Sequence, residues 1–353
     1  MATESYQVGL DSDEYKASNE GLLSSDDVRT GFITGITFEA KAVQYAVVNG
    51  LAVFEGCIVL GRADQMEQAA DQLRDVAADS GGVTRDVAHG VGITGQQYRW
   101  PNALMPYSID PNLSNQARVT DAIAHWQQNT RMSFVQRTAG NAGQYPNYVH
   151  FIPSDGCWSH VGMQGGKQEI GLAGGCGTGA TIHEIGHAFG LWHEQSREDR
   201  DTFIKVNWAN IEAGREHNFN QHISDGDDLG AYDFGSIMHY GAYAFSKNDL
   251  PTIEAKSGAS FGQRNGLSTG DIAAVHSMYR LWHNNVVVNQ TYSTYDSKNA
   301  WIHVGNLGWR KINVASNDGV TNVLTIAARA KAFDQKVSVY ADGSFVYELS
   351  LLG

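Results

Sequence analysis

The sequence predicts an α+β fold, with an N-terminal segment before the main domain and a small all-β module after it. Two strand-like runs, residues 100–110 and 148–153, precede a helix-like segment rich in histidine, and further helices follow. Strands before that segment and helices after it are typical of an α+β domain. Residues 284–353 form a series of short apolar runs, which predicts the terminal module.

Composition and charge limit the class of protein. The 353 residues are 42% hydrophobic and 18% charged, which is enough apolar material for a globular core and two or three structural units. The net charge is −13, and the first 90 residues, with 15 acidic and 6 basic side chains, hold −9 of it. We therefore expect no nucleic-acid partner, since phosphate binding requires clustered cations. We also expect no membrane span, since no apolar run is long enough.

The chain divides into three predicted segments, residues 1–90, 91–283 and 284–353. The first has alternating apolar runs and an acidic helix-like stretch over residues 66–78, without a catalytic constellation. In the second, residues 115–129 predict an amphipathic helix. Its expected buried face carries Val119, Ile123 and Trp126.

The strongest functional signal is H-E-I-G-H-A-F-G-L-W-H-E at residues 183–194. His183 and His187 stand four residues apart, so on a helix both imidazoles project from one face toward a single cation. Gly190 can take backbone angles that let the chain leave the helix and return His193 as a third ligand. Three neutral imidazoles leave one position open, which favours a catalytic zinc over a structural one. H-E-x-x-H alone also arises by chance on solvated helices; the added glycine and third histidine favour zinc.

The C-terminal segment is strand-like at residues 286–288, 323–327 and 336–352. Asp342 and Gly343 predict a tight hairpin turn between the last two strands. We expect a sandwich-like module in which Trp301 and Trp309 are core residues in preference to the alternative, a platform for a ligand. Recognition of carbohydrate, recognition of protein, a part in secretion and simple stabilisation all stay open as its role.

Three cysteines, Cys57, Cys157 and Cys176, form an odd set, so one of them lacks an intrachain partner. Cys157 and Cys176 flank a glycine-rich segment before the histidine helix, where a disulfide would brace the wall of a cleft. A disulfide implies an oxidising compartment, so we expect a secreted, extracellular protein. Because the start of the chain resembles no export signal, we take a signal peptide to have been removed.

Motifs between residues 98 and 279 resemble those of the astacin family of zinc endopeptidases, within the metzincins. They are Y-R-W-P at 98–101, M-P-Y-S-I at 105–109, C-W-S-H-V-G at 157–162, E-Q-S-R at 194–197, Y-D-F-G-S-I-M-H-Y at 232–240 and L-S-T-G-D-I at 267–272. Glu194, directly after the third histidine, separates this resemblance from other metzincins. The resemblance implies a metzincin-type catalytic domain of two subdomains, an inhibitory propeptide and one catalytic zinc.

The resemblance also implies roles for individual residues. Glu184 is the general base and acid, and Met238 forms an apolar floor beneath the metal. Tyr240 ligates zinc at rest and hydrogen-bonds the oxyanion during turnover. Glu194 pairs with the new N-terminus once the propeptide is cut, near residues 85–92, where Arg85 offers a basic cleavage point.

Two features depart from the family pattern. Residues 277–280, S-M-Y-R, lack the cysteine of a second family disulfide. Astacin propeptides commonly carry F-x-G-D, whose aspartate blocks the open zinc position, whereas residues 54–57 here read F-E-G-C. We predict a cysteine-switch zymogen in which Cys57 ligates zinc in the latent form, because thiolate is a strong zinc ligand. The competing interpretation is a small buried residue within a strand-like run over residues 51–60.

Two functions follow from these patterns. The first is a secreted zinc endopeptidase that hydrolyses extended polypeptides and is held latent by its own propeptide. The second is a binding or adhesion protein in which the C-terminal module acts and the protease domain is vestigial. A third possibility, a closed structural zinc site, would require Cys57 to stay bound permanently.

Overall fold

The chain forms two compact units, Met1–Val275 and His276–Gly353. The computed structural model describes residues 19, 21–33, 41–80, 98–221, 228–279, 281–296, 299–314, 318–341 and 345–352. The first unit includes both the predicted N-terminal segment and most of the predicted main domain. The second unit begins before the predicted boundary at 283/284, because its first strand starts at Leu281.

The first unit is built mainly of strands, with helices packed beside them. Its strands are β1 (Val28–Ile33), β2 (Lys41–Val48), β3 (Leu51–Phe54), β4 (Ile58–Arg62), β5 (Leu104–Ile109), β6 (Ser133–Gln136), β7 (Tyr148–Pro153), β8 (Trp158–Ser159), β9 (Lys167–Leu172), β10 (Ile204–Val206) and β11 (Ile253–Ala255). Among the residues that the structure describes, the helices of this unit with defined bounds are α1 (Ala63–Ser80), α2 (Ala117–Asn129), α3 (Thr178–Ala188) and α4 (Thr269–Met278). Short 3-10 helices span Pro101–Ala103, Ala142–Gln144, Glu194–Ser196, Arg200–Thr202, Trp208–Asn210 and Glu216–Phe219.

One sheet runs through both the N-terminal segment and the main domain. Its nine strands have the order β1-β2-β3-β4-β8-β9-β7-β5-β6. Strands β1 to β4 form an antiparallel meander, and β4 then pairs in parallel with β8 at Ile58 and Ser159. The N-terminal segment therefore extends the sheet of the main domain at its edge, β8.

The predicted elements of the first unit match the structure closely. Residues 66–78 lie within α1, residues 148–153 are β7, and residues 100–110 contain a 3-10 turn followed by β5. Val119, Ile123 and Trp126 are buried on α2, as the spacing predicts. The indole of Trp126 donates to the carbonyl of Ile182 at 3.1 Å, which joins α2 to the histidine helix α3. An α+β fold is confirmed for this part of the chain.

A disulfide and a buried arginine shape the loop that leads into α3. Cys157 and Cys176 form the expected disulfide, with their Cα atoms 5.9 Å apart. Arg118 on α2 is 2% exposed, and its guanidinium donates to the carbonyls of Ala173 and Cys176. The carbonyl of Ala173 also accepts from the backbone amide of Cys176 at 3.2 Å, whereas for the carbonyl of Cys176 the guanidinium supplies the donor. The start of α3 is thereby held against α2.

The second unit is a closed five-stranded barrel with one helix. Its elements are β12 (Leu281–Ser293), β13 (Ala300–Val304), a 3-10 turn (Gly305–Leu307), β14 (Gly308–Ile312), α5 (Gly319–Ala332), β15 (Lys336–Ala341) and β16 (Phe345–Leu351). The order around the barrel is β12-β13-β14-β16-β15, and β12 also pairs with β15. Strands β14 and β16 are parallel, and the other pairs are antiparallel.

The prediction of an all-β, sandwich-like module was wrong. The run at residues 323–327 lies in helix α5, where Val323, Ala327 and Ala330 face the barrel core. Their spacing of three and four residues is that of one helix face, and a short apolar run does not distinguish a helix from a strand. The predicted turn at Asp342 and Gly343 lies outside the described residues.

The expected core position of the two tryptophans was also wrong. Trp309 is 43% exposed, and Trp301 is partly exposed. On β13 the inward positions are instead filled by Ala300, Ile302 and Val304. A five-stranded barrel has a narrow interior, and these smaller side chains fill it.

Among the described residues, no helix combines the length and apolarity that crossing a membrane would require.

We predict that Arg118→Met lowers the free energy of unfolding by roughly 2–4 kcal/mol, because buried carbonyl acceptors lose their donors. Urea denaturation followed by tryptophan fluorescence measures the change. Lys205→Met is the matched control, since its ion pair with Glu254 is solvent-exposed and worth at most about 1 kcal/mol. Equal denaturation midpoints for the two variants would contradict the role of Arg118.

Candidate metal centre

Helix α3 presents two histidines to one point. His183 and His187 are both buried, and their ring centroids lie 4.6 Å apart. Gly190 has a φ of 103°, the left-handed conformation expected where the chain leaves the helix. The chain then returns His193, whose ring centroid lies 4.7 Å from that of His187.

A hairpin of the N-terminal segment supplies a fourth side chain. Strands β3 and β4 are joined by three residues, Glu55, Gly56 and Cys57. Glu55 and Gly56 have φ values of 45° and 68°, and a Cβ on Gly56 would lie 2.8 Å from the ring of Phe245. This tight turn places Cys57 at the tip of the hairpin. Its Sγ lies 3.6, 3.4 and 3.2 Å from the Nε2 atoms of His183, His187 and His193.

These four atoms fit the donor set of a zinc ion. All four ligand atoms lie within 4.8 Å of one another. Tetrahedral zinc, with Zn–S of about 2.3 Å and Zn–N of about 2.05 Å, requires sulfur and nitrogen about 3.5 Å apart. The observed separations are close to that value, so the site has the right size for a single tetrahedral cation.

The histidine tautomers fit a metal as well. The Nδ1 atoms of His183 and His187 lie 2.8 Å from the carbonyl oxygens of Ile237 and Leu191. The Nδ1 of His193 lies 2.8 Å from a carboxylate oxygen of Glu55. Because carbonyl and carboxylate oxygens only accept, each Nδ1 carries the proton and each Nε2 keeps a lone pair. All three lone pairs are directed toward Cys57.

Burial acts against charge on three of these four side chains, those of His183, His187 and Cys57. Desolvation lowers the pKa of His183 and His187 well below the usual range, so both imidazoles stay neutral. Burial likewise raises the pKa of the Cys57 thiol well above its usual value, with the nearby Glu184 as a further cause. A thiolate would therefore form here only beside a cation, which a metal supplies.

Glu184 is buried beside this cluster. It is 2% exposed, and its Oε2 has no hydrogen-bond partner among the described residues. Desolvation raises the pKa of this carboxyl well above its usual value. A buried carboxyl oxygen without a partner is unfavourable in a structural role. It suits a group that receives a proton from a bound ligand.

The turn predicted to lie beneath the metal is in place. Gly186 of α3 faces Met238 so closely that a Cβ there would lie 2.8 Å from the methionine sulfur. Asp271 holds the turn, since its carboxylate accepts from the hydroxyl of Ser236 at 2.6 Å and the amide of Ile237 at 3.0 Å. Met238 therefore packs against the histidine helix.

Tyr240 points toward the N-terminal hairpin. Its ring centroid lies 4.7 Å from that of His193, and its hydroxyl donates to the carbonyl oxygen of Glu55 at 2.6 Å. Burial raises the pKa of this phenol well above its usual value, so the hydroxyl keeps its proton. In this state the tyrosine is engaged by the N-terminal segment.

Glu194 is partly buried between a backbone amide and a guanidinium group. Its Oε1 accepts from the backbone amide of Asp233 at 2.8 Å, and the guanidinium of Arg197 lies 3.6 Å away. Burial raises the pKa of Glu194 to about 7. The region of the predicted cleavage point, residues 85–92, is outside the described residues. The predicted pairing of Glu194 with a new N-terminus therefore stays a prediction.

Glu55 is a functional residue that sequence analysis missed. Its carboxylate is fully buried, with one oxygen 2.8 Å from His193 Nδ1 and the other accepting from the hydroxyl of Ser196 at 2.6 Å. It thus orients the third histidine, although it belongs to the N-terminal segment. The signal was present in F-E-G-C, but no spacing rule connects a turn residue to a histidine 138 positions later.

The middle part of the chain is similar to known zinc metalloproteinases. The model of the astacin peptidase family matches residues 92–280, more than half of the chain. Zinc metalloproteinase nas-13 of Caenorhabditis elegans is 42% identical over 187 residues, 51% of this chain and 41% of the relative. Meprin A subunit beta of Homo sapiens is 35% identical over 243 residues, 66% of this chain and 34% of the relative. The chain thus spans less than half the length of these relatives.

Among solved structures, high choriolytic enzyme 1, a hatching-enzyme zinc protease of Oryzias latipes, is 33% identical to this chain. The similarity covers 51% of this chain and 92% of that chain, with a TM-score of 0.47.

We predict that Glu55→Ala weakens zinc binding by the full chain about 10- to 100-fold, because the third histidine loses the acceptor that orients it. Competition with a chromophoric chelator measures the affinity. Glu67→Ala is the matched control, since this glutamate of the same segment lies on the surface in an ion pair with Arg29. A Glu55→Ala affinity equal to that of the control would show that the contact does not orient the ligand.

Proposed function

The chain belongs to the astacin family of peptidases, and we propose that it is a zinc endopeptidase made as a latent precursor with Cys57 on the catalytic zinc. One observation carries this proposal: the Nε2 atoms of three histidines and the Sγ of Cys57 meet at a separation suited to a tetrahedral cation. A hydrolytic zinc site keeps one position for water or substrate. Cys57 would fill that position.

The hairpin also covers the edge at which a substrate would bind. Extended peptides commonly bind by adding a strand to an exposed sheet edge. Here the edge strand β8 is already paired with β4, and the amide of Ser159 donates to the carbonyl of Cys57 at 2.9 Å. The rings of Phe54 and Trp192 pack edge to face, with their centroids 6.0 Å apart, and add apolar packing beside the hairpin. A substrate could reach β8 only after the hairpin has left.

Once the hairpin has gone, the residues of the site have the properties that peptide hydrolysis requires. The zinc ion, held by His183, His187 and His193, supplies Lewis-acid polarisation of the scissile carbonyl and activation of water. Glu184, with its unpartnered oxygen, takes the proton of the attacking water and passes it to the leaving amine. Tyr240, freed from the carbonyl of Glu55, donates its hydroxyl to the oxyanion.

Activation would need a cut after the hairpin and before the main domain. We place it near residues 85–92, with the new α-amino group pairing with Glu194. Burial raises the pKa of Glu194 to about 7 even though the Arg197 guanidinium lies 3.6 Å away, and a new ammonium beside it would favour the ionised carboxylate further. The disulfide between Cys157 and Cys176 supports secretion into an oxidising compartment.

The alternative, a binding protein with a vestigial protease domain, is not favoured. Decay of the active site would be expected to remove some of its groups, yet the three histidines, Glu184 and Tyr240 are all retained. The relatives named above are also described as proteinases or peptidase-family members.

We predict that Glu184→Ala lowers casein cleavage by the processed protein at least about 100-fold, because general acid–base catalysis is lost. Zinc content, measured by atomic absorption, should stay the same. Chelation should abolish activity of the wild type, and added zinc should restore it. A processed, zinc-loaded wild type that cleaves no peptide library would refute the proposed activity and favour the binding protein.

We predict that Cys57→Ala gives an unprocessed chain that cleaves a fluorogenic peptide, because without the zinc–sulfur bond the hairpin can leave β8 and the fourth zinc position becomes open to water. Thiol-modifying reagents should activate the wild type in the same way. Cys57→Asp should stay latent, since a carboxylate can take the same place.

Cobalt substitution tests the ligand directly and independently of activity. The cobalt-loaded precursor should show a thiolate-to-metal charge-transfer band that Cys57→Ala lacks. A fully latent, zinc-loaded Cys57→Ala protein, or a wild type without the band, would exclude the cysteine switch.

A further inference from the structure

We propose that the barrel of the second unit binds a polysaccharide chain on the outward side of strands β12, β13 and β14. This surface, here called the aromatic face, consists of Gln290, Tyr292, Trp301, His303, Trp309 and Lys311. Alternation along β13 defines it: Ala300, Ile302 and Val304 point inward, so the residues between them point outward.

Strand register arranges these side chains in two rows. Trp301 lies opposite Tyr292 on one neighbouring strand and opposite Lys311 on the other. In the next row, His303 lies opposite Gln290 and Trp309. Residues directly opposite one another in an antiparallel pair project from the same side of the sheet. The face therefore carries four rings on three strands, Tyr292 and Trp301 in one row and His303 and Trp309 in the other.

Aromatic rings of this size are normally buried. Tyr292 is 51% exposed and Trp309 is 43% exposed, while small aliphatic side chains fill the interior of the barrel. In the loop that follows β12, Tyr295 is fully exposed as well. A contiguous group of exposed apolar rings marks a binding surface rather than ordinary surface variation.

The rings are held in place before any ligand arrives. The indole of Trp301 donates to the side-chain oxygen of Asn299 at 3.1 Å, and the amide nitrogen of Asn289 lies 3.1 Å from His303 Nδ1. The rings of His303 and Trp309 meet edge to face at 5.5 Å. Restrained side chains lose less conformational entropy when a ligand binds.

The chemistry of the face favours a polysaccharide over a nucleic acid. Its outward positions carry one cation, Lys311, and residues 276–353 contain seven cationic and five anionic side chains. A nucleic acid needs several cations to neutralise its phosphates. The flat C–H faces of pyranose rings stack on aromatic side chains, and this stacking needs no charged group. The polar groups of Gln290, His303 and Lys311 can form hydrogen bonds with sugar hydroxyls. An extended glycan ribbon can contact the rings of both rows along this outer side of the barrel.

The architecture of the barrel agrees with this assignment. Going around the barrel, one meets the first, second, third, fifth and fourth strands of the unit, numbered by their order in the chain. A helix lies between the third and the fourth strands in the chain. This is the arrangement of the oligonucleotide- and oligosaccharide-binding barrels, which bind ligands on the face of the second and third strands. Here those strands are β13 and β14, which carry both tryptophans of the face.

Depletion of the full chain from solution by insoluble chitin and by microcrystalline cellulose tests the proposal. We expect saturable binding to at least one of them, and a loss of affinity of about three- to tenfold for Trp301→Ala and for Trp309→Ala. Trp282→Ala is the matched control, since this tryptophan is 47% exposed but lies at the other end of β12, opposite Tyr340. Its binding should equal that of the wild type.

Near-ultraviolet circular dichroism of each variant shows whether the barrel stays folded, and Tyr292→Ala replaces any variant that does not. Wild-type protein that stays in solution with both polysaccharides would overturn the proposal, as would unchanged binding by Trp301→Ala and Trp309→Ala. Binding of a fluorescent oligothymidylate that these variants lose would identify a nucleic-acid surface instead. Self-association in sedimentation that they lose would identify a contact between copies.

Discussion

The candidate metal centre of the first unit depends on four buried side chains whose ligand atoms lie close to one another. The imidazoles of three histidines and the thiol of Cys57 have their protons and lone pairs arranged so that each offers one donor atom inward. These side chains can be buried in their neutral forms. Ionisation of the Cys57 thiol to a thiolate, by contrast, requires a positive ion beside it. Metal binding and folding of the N-terminal segment should accordingly be coupled.

The hairpin at residues 54–58 contacts both the sheet and the candidate metal centre. It continues the sheet through β8, and it also contacts the three histidines, Tyr240 and Ser196. Glu55 takes part in the second set of contacts twice, since its carbonyl and its carboxylate meet different groups of the site. If the chain is the proposed zymogen, its precursor would hold the metal with one orienting carboxylate more than the processed protein.

Sequence reasoning succeeded where the determining contacts are local. The spacing of His183 and His187 on one helix, the bend at Gly190 and the buried face of α2 all follow from periodicity and backbone preference. Sequence reasoning failed where the tertiary arrangement of turns and strands determines which residues meet. Glu55 reaches His193 because of a turn with two left-handed residues, and the inward side of β13 depends on which residues fill a narrow barrel. The run at 323–327 was too short to separate helix from strand.

The connection between the hairpin and the main domain has a kinetic consequence. Cys57 and His183 are 126 residues apart but belong to one chain, so the thiol would face a bound zinc ion at a high effective concentration that dilution does not alter. In the proposed zymogen, a single break in the connecting segment would turn this internal ligand into a separate molecule. Rebinding would then be second order and would compete with bulk water, so at low protein concentration activation would run in one direction.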